Sequence, residues 1–489
     1  MPAYFADLNL NQIVNAAAEK KAEYHCKPLF LTPLKTASAV RYRQAVMQDL
    51  ENPELADKTA SFSAALSLIG ITLKSLHTGY SPLLDLGEYL EQADAYCRAV
   101  DDYQKFLTAV SLHSEGFRNA QSYLTSYTAA EQYRDLVRDI TSLKHTVTKI
   151  RYCMYIKNST VSVQKYSGQS DYTADILKSF EKFRQYPAKD YTKVIEDTYY
   201  AKYVEEAILS RVAKLYPDEF AQLEEFVKIH PEFPDPAIMS FSRDVMFYIS
   251  WLEYIRPLID AGCSFCYPEL TEENDTQCFG GFDAALAAKL AAEGKIPVVN
   301  DFSLSGQERI FVITGPNQGG KTTFARMVGQ IHYLASLGVK IPASSAKLTL
   351  CDQIFTHFEH EEQIGDLTGK LNDELIRIHD ILKSATPNSL IIINEIFAST
   401  SVQDAVSIGK HLMQMITDAG MRCVLVTFLQ ELSQYSESVV SLVSFTETDS
   451  PEKRTFHIVR QPADDQAYAM SIAGIHHLTY NEICRRIYP

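Results

Sequence analysis

Between Gly315 and Thr322 the chain reads Gly-Pro-Asn-Gln-Gly-Gly-Lys-Thr: a glycine, four residues, then Gly-Lys-Thr. Four apolar residues, Ile310-Phe311-Val312-Ile313, lead in and predict a buried strand. A helical pattern from Thr323, with Met327, Ile331, Leu334 and Leu337, leads out. Strand, glycine-rich loop and helix in that order are the context a P-loop needs. Glycines let backbone N–H groups close around phosphate oxygens, and the helix N-terminus adds partial positive charge. Lys321 is then placed to reach the outer phosphates of ATP, and Thr322 to offer its hydroxyl to Mg²⁺. A glycine-rich turn could fit the bare pattern by accident, but the flanking strand and helix argue against it. The expected cradle is Gly315, Pro316, Asn317, Gln318, Gly319, Gly320, Lys321, Thr322 and Thr323.

The 489 residues suffice for several domains with sizeable cores. No apolar run approaches the roughly twenty residues that span a membrane. The start, MPAYFADLNL, has no basic segment followed by an apolar one, so a signal peptide is not expected. Nine cysteines are scattered, with Cys263 and Cys266 as a lone CxxC and Cys278 beyond it. A closed zinc site needs four ligands at suitable spacing, and reduced thiols in a cytoplasm are the plainer reading. The net charge of −15, from 46 basic and 61 acidic residues, argues against the whole surface as a polyanion binder. It leaves room for a local basic site.

The chain falls into two parts, residues 1–256 and 257–489. The first is mostly helical, with candidates at Asn9–Glu23, Ser38–Leu50, Thr59–Ser75, Pro82–Val100, Tyr199–Leu215, Pro217–Val227 and Met239–Ile255. Within it, residues 141–170 carry Lys144, Lys149, Arg151, Lys157 and Lys165 and no acidic residue. There IRYCMYIKNSTVSVQKY alternates and is rich in β-branched and aromatic residues, which predicts a hairpin turning near Lys157-Asn158-Ser159. With Tyr152, Tyr155 and Tyr166, such a hairpin could track a nucleic-acid backbone. It could equally be a solvated hairpin whose lysines keep its edge from aggregating. Helical stretches on both sides of it suggest a stalk with the hairpin at its tip.

From about residue 257, strands and helices alternate: Lys347–Leu350, Gln353–Thr356, Leu390–Ile393 and Arg422–Thr427 as strands, Glu374–Ser384 and Asp404–Ala419 as helices. This is the pattern of an α/β nucleotide-binding domain. Such a site also needs acidic groups at the end of a neighbouring strand, one for Mg²⁺ and one to orient the attacking water. The strand SLIIINEIF offers Asn394-Glu395. Glu395 is the candidate general base, with a structural, salt-bridged role as the alternative. Asn394 could accept a hydrogen bond from metal-bound water but brings no charge.

These residues resemble the MutS family of DNA mismatch-repair ATPases. GPNQGGKTT fits that family's narrower loop pattern. The match continues through Ile341–Ala343, Ile354–Thr356, Asn394–Ile396, Ser399-Thr400-Ser401 with Asp404, Thr427 and Glu431-Leu432. The resemblance implies an α plus α/β fold: a helical core and lever region with a small β-hairpin clamp at about 141–170, then a P-loop α/β ABC-type ATPase domain. It also implies a homodimer with two composite ATP sites and lever helices whose clamps close on mismatched or otherwise structured DNA. The tail QAYAMSIAGIHHLTYNEICRRI resembles the helical dimerisation element, with Ala469, Ile472, Ile475 and Leu478 packing on a partner or on their own domain.

The departures are specific. The N-terminal mismatch-reading domain with its Phe-x-Glu wedge has no counterpart. Asn394 stands where the family has Asp, and Phe428 at the position of the switch histidine. Gly369-Lys370-Leu371 replaces the trans-acting Ser-Thr-Phe, although Glu374 remains. Pro297 stands at the aromatic that stacks on adenine. These changes argue against fast hydrolysis and strict ATP preference while leaving the cradle intact. The expected activity is therefore an ATP-gated DNA clamp with slow hydrolysis. The alternatives are a nucleotide-gated protein scaffold without a DNA role, and an inactive nucleotide binder.

Overall fold

The structure, a computed structural model, describes residues 2–76, 81–158, 160–169, 199–273, 275–358, 370–397, 399–447, 450–463 and 478–487. The chain forms two compact units. One comprises Pro53–His113 and Phe117–Val245; the other comprises Met1–Asn52, Ser114–Gly116 and Met246–Pro489. The expected cut at residue 257 is thus not where the packing divides.

In the Pro53–Val245 unit, helices Pro53–Ser75, Pro82–Ala109, Glu131–Val147, Tyr199–Leu215, Pro217–Ile229 and Pro236–Asp244 pack around aromatic side chains. Phe62 stacks on Tyr103 at 4.1 Å between centroids, and Thr59 and Tyr103 share a 2.8 Å hydroxyl hydrogen bond in the core. Prolines open four of these helices at a position where no N–H is needed. Asp235 caps the helix at Pro236, its carboxylate accepting Ile238 N–H at 3.0 Å. The single helix expected over Met239–Ile255 is therefore two, Pro236–Asp244 and Met246–Asp260, and the chain changes unit where they separate. The hairpin forms as expected. β1 (Tyr152–Lys157) and β2 (Thr160–Lys165) pair antiparallel, with Asn158 at φ 55° in the tight turn.

The other unit holds two sheets. The smaller has the order β3 (Glu269–Thr271), β7 (Ser345–Thr349), β4 (Thr276–Gly281), β5 (Asn300–Leu304). The larger runs β12 (Ser450–Arg460), β11 (Val439–Glu447), β6 (Ile310–Thr314), β10 (Arg422–Val426), β9 (Leu390–Asn394), β8 (Ile354–Phe358). From β11 to β8 the pairing is parallel, and only β12 is antiparallel. Phe311, Ile313, Ile392, Val424 and Val426 enter one apolar core. Ile310, Val312, Ile391, Ile393, Cys423 and Leu425 enter another on the opposite face. A parallel sheet covered on both faces reads as unbroken apolar runs, which is how these strands look in the sequence.

The helix after the glycine-rich loop, Lys321–Leu337, is buried at every residue from Met327 to Leu337. A helix apolar on one stripe only would leave a polar face to solvent. Here that face is covered by the first residues of the chain. Arg326 Nε donates to Asp7 O at 2.8 Å, Gln330 Nε2 to Leu8 O at 2.9 Å, and Tyr333 OH to Phe30 O at 2.7 Å. Gly329 permits the approach, since a Cβ there would lie 2.6 Å from Leu8 Cδ1 and 2.7 Å from Ile392 Cδ1. The N-terminal segment therefore belongs to the α/β core and not to the helical half.

Candidate functional site

The Gly315–Gly320 loop leaves the C-terminal end of β6, the end at which open parallel sheets collect ligands. Its turns rely on left-handed backbone at Gly315 (φ 116°), Gln318 (φ 60°) and Gly320 (φ 93°). Ser444 on β11 fixes the loop from the side: its hydroxyl donates to Gly319 O at 2.7 Å, and a Cβ on Gly319 would fall 2.1 Å from that oxygen.

Lys321 is only 4% exposed. Its Nζ donates to Gly315 O at 2.9 Å, Pro316 O at 3.0 Å and Asn317 Oδ1 at 3.4 Å. Burial lowers its pKa; the Glu395 carboxylate opposes the shift and Arg454 adds to it. Thr322 Oγ1 donates to Asn394 Oδ1 at 2.9 Å. The next residue, Glu395, has φ 58°, and its N–H donates to Val426 O at 2.9 Å. The loop, Lys321, Thr322, Asn394 and Glu395 thus meet in one place.

A cavity of about 610 Å³ adjoins them. Its lining combines the loop and helix start, Asn317 to Thr323, and Glu395 with the apolar Phe282, Leu286, Leu290, Ile296, Val298 and Phe456, and with Asp283, Lys295 and Asn300. Pro297 is buried, while its neighbours Ile296 and Val298 face the cavity. Phe456, on β12, was not legible in the sequence. It has φ 60°, and its backbone lies beside Gly320. Asn300 braces it from both sides, Nδ2 donating to Phe456 O at 3.2 Å and Oδ1 accepting Ile458 N–H at 2.7 Å. Neither residue sits in a motif; only the fold of β12 over the loop brings them there.

Thr427 is buried and its hydroxyl accepts Leu429 N–H at 3.0 Å, whereas Phe428 is 48% exposed. In the altered signature, Gly369 lies outside the described residues and a helix begins at Lys370. In the tail, Ala469, Ile472 and Ile475 lie outside the described residues; Leu478 is exposed and a helix spans Tyr480–Ile487.

The basic stretch needs one correction. Lys144 is not on the hairpin. It sits on the Glu131–Val147 helix and is ion-paired to Asp94 at 2.8 Å and Glu91 at 3.2 Å. Lys149, Arg151, Lys157 and Lys165 are exposed, as are Tyr152, Tyr155 and Tyr166. Lys165 Nζ lies 4.7 Å from the Tyr216 ring centroid. Among the described residues, no group of three or more His, Cys, Asp or Glu side chains is placed to hold a metal, and no helix is long and apolar enough to cross a membrane.

Helices in one unit and a helix-covered parallel sheet in the other make this an α plus α/β protein, with the glycine-rich loop at the end of strand β6. Residues 311–485 match the family description MutS domain V. The chain is 30% identical over 241 residues to the DNA mismatch repair protein MutS of Rickettsia akari (strain Hartford), covering 47% of this chain and 27% of that protein. It is 31% identical over 230 residues to the DNA mismatch repair protein MutS of Rickettsia rickettsii (strain Sheila Smith), covering 44% and 26%. The chain is thus similar to MutS proteins over its C-terminal part, and its N-terminal region lies outside the match. The match spans about a quarter of the length of these curated relatives.

Proposed function

We propose that this chain is a MutS-like protein whose P-loop ATPase domain binds ATP with Mg²⁺, hydrolyses it slowly, and gates a dimeric clamp on DNA. The observation that carries the reading is Lys321. A buried ammonium held by loop carbonyls lines a cavity of mixed polar and apolar lining. Phosphates would take the loop amides and Lys321, and the apolar residues of the lining would take the base. Mg²⁺, bound with the nucleotide, neutralises phosphate charge; Thr322 and Asn394 are the residues that would hold it, directly or through water. Glu395 would orient the attacking water. A neutral Asn394 and a non-ionisable Phe428 both favour slow turnover.

The DNA role is supported by the names of the relatives and by the exposed cations Lys149, Arg151, Lys157 and Lys165 interleaved with tyrosines. Contacts of that kind read backbone and shape, so the target would be a junction, loop, mismatch or distorted duplex. Two copies would complete each other's sites in a homodimer, and the cytoplasm is the compartment this role requires. A second reading, a nucleotide-gated protein scaffold, is favoured by the −15 charge and by the pairing of Lys144.

The test is ATP turnover by the purified chain with Mg²⁺, alone and with branched or looped DNA. DNA stimulation that Lys321→Ala abolishes supports the clamp. Tight ATP binding without turnover, unmoved by DNA, supports the scaffold.

A further inference from the structure

The segment that carries Glu395 is held in an unusual backbone. Glu395 has φ 58° and Phe397, two residues on, has φ 60°. Neither is glycine, asparagine or aspartate, and such conformations persist only where the surroundings over-determine them. Two backbone bonds do so here. Glu395 N–H donates to Val426 O at 2.9 Å, and Phe397 N–H donates to Glu374 Oε2 at 3.0 Å. The Phe397 side chain is 2% exposed and lies in the same apolar cluster as Ile378. Glu374 and Ile378 both belong to the helix Lys370–Ser384, so that helix supplies the acceptor for Phe397 N–H and part of the core that buries its ring.

Glu374 is 7% exposed and is not among the residues that line the cavity. A buried carboxylate bonded to a strained backbone N–H holds that backbone more strongly than a neutral acceptor would. Glu395, by contrast, does line the cavity beside Lys321. If Phe397 relaxed to ordinary backbone, the peptide planes between it and Glu395 would rotate and the Glu395 side chain would swing with them.

We propose that Glu374 is a positioning residue. By accepting Phe397 N–H it keeps the Glu395 carboxylate aimed into the cavity, and it makes the Lys370–Ser384 helix the element through which a displacement at that helix's N-terminus reaches the water-orienting group. This rests on the reading of Glu395 given above.

The test compares steady-state ATP turnover and calorimetric ATP affinity for the full chain, wild type, Glu395→Gln, Glu374→Gln, Glu374→Leu and Glu374→Leu/Glu395→Gln. Glutamine keeps an acceptor oxygen and should stay within about threefold of wild type in kcat, since the bond is retained at reduced strength. Leucine removes the acceptor and should lower kcat by about ten- to a hundredfold, the scale of a small misplacement of a catalytic group, with ATP affinity nearly unchanged. The double variant should be no slower than Glu395→Gln alone, because the two act as a unit. Glu374→Leu turning over like wild type overturns the inference, and so does parallel loss of kcat and ATP affinity. Where the leucine variant does not fold, Glu374→Asp, which shortens the reach by one methylene, carries the same comparison. Glu395→Gln turning over like wild type overturns the Glu395 reading itself, and this inference with it.

Discussion

Thr322 Oγ1 donates a 2.9 Å hydrogen bond to Asn394 Oδ1, joining the first turn of the buried helix to the end of β9. In the proposed reading these two residues hold Mg²⁺, and the amide oxygen brings no negative charge to it.

Asn394→Asp should therefore strengthen Mg²⁺ dependence without rebuilding the site. Unit charges about 4 Å apart attract by roughly 4 kcal/mol at an effective dielectric near 20. Even after desolvation offsets most of this, the half-saturating Mg²⁺ concentration should fall by about tenfold, with faster turnover. A Mg²⁺ titration of ATP turnover measures it; an unmoved midpoint would place the metal elsewhere.

Burial lowers the pKa of Lys321, Glu395 raises it and Arg454 lowers it further. The folded-state pKa thus lies below that of an ordinary lysine. Phosphate binding needs the ammonium, so ATP affinity should be full below the folded pKa and fade as pH rises through it. Bound phosphate favours the charged form again, so binding on the alkaline side should take up a proton. The free protein runs the other way, gaining stability from this group as pH rises above the folded pKa, because burying the charge is then no longer required. Calorimetry in buffers of different ionisation enthalpy checks the proton uptake, and Lys321→Arg should flatten the profile.

Phe456 lines the cavity, and Asn300, which lines it too, bonds the Phe456 carbonyl. Phe456→Ala should weaken ATP by about five- to tenfold, the scale of one aromatic contact of about 1 kcal/mol, and leave inorganic tripolyphosphate untouched. Equal loss for both ligands would mean that the ring supports the loop and not the base.

The correction at Lys144 separates two classes of lysine. Neutralising Lys149, Arg151, Lys157 and Lys165 together should abolish most salt-dependent DNA affinity and flatten its salt slope by up to about four. Lys144→Gln should leave DNA affinity unchanged and reduce stability by less than about 1 kcal/mol, as a partly exposed ion pair does. Fluorescence anisotropy across salt concentrations distinguishes them; no salt dependence in any nucleotide state would refute the DNA role.

Gly329→Ala inserts a methyl against Leu8 and Ile392 at under 3 Å. Overpacking of that kind destabilises by about 1–3 kcal/mol. Chemical denaturation should show the loss in the α/β unit; wild-type stability would mean that the N-terminal segment yields easily.

What the sequence exposed and what it hid follow from the range of the interactions. The strand–loop–helix around Lys321, the strand before Asn394 and the basic hairpin are local patterns, readable from periodicity and turn residues. Phe456 and Asn300 are 156 positions apart, and nothing local marks either. The placement of residues 1–52 was hidden for the same reason. Their amphipathic helices look alike whether they cover a helical bundle or the Lys321–Leu337 helix. The full burial of that helix was also masked, because Gln330 and His332 read as polar while both are buried.

The hydrogen bond from Gln330 to Leu8 spans 322 positions. At ~5–20 residues per second, roughly 15 to 60 s separate the synthesis of the two groups. Leu8, Leu10, Ile13 and Phe30, all at 0% exposure once folded, are made well before the Lys321–Leu337 helix with which they share a core. The stretch from Pro53 to Val245 is finished in the meantime. These N-terminal residues are thus made long before the helix that covers them, and they complete their packing only after it has been synthesised.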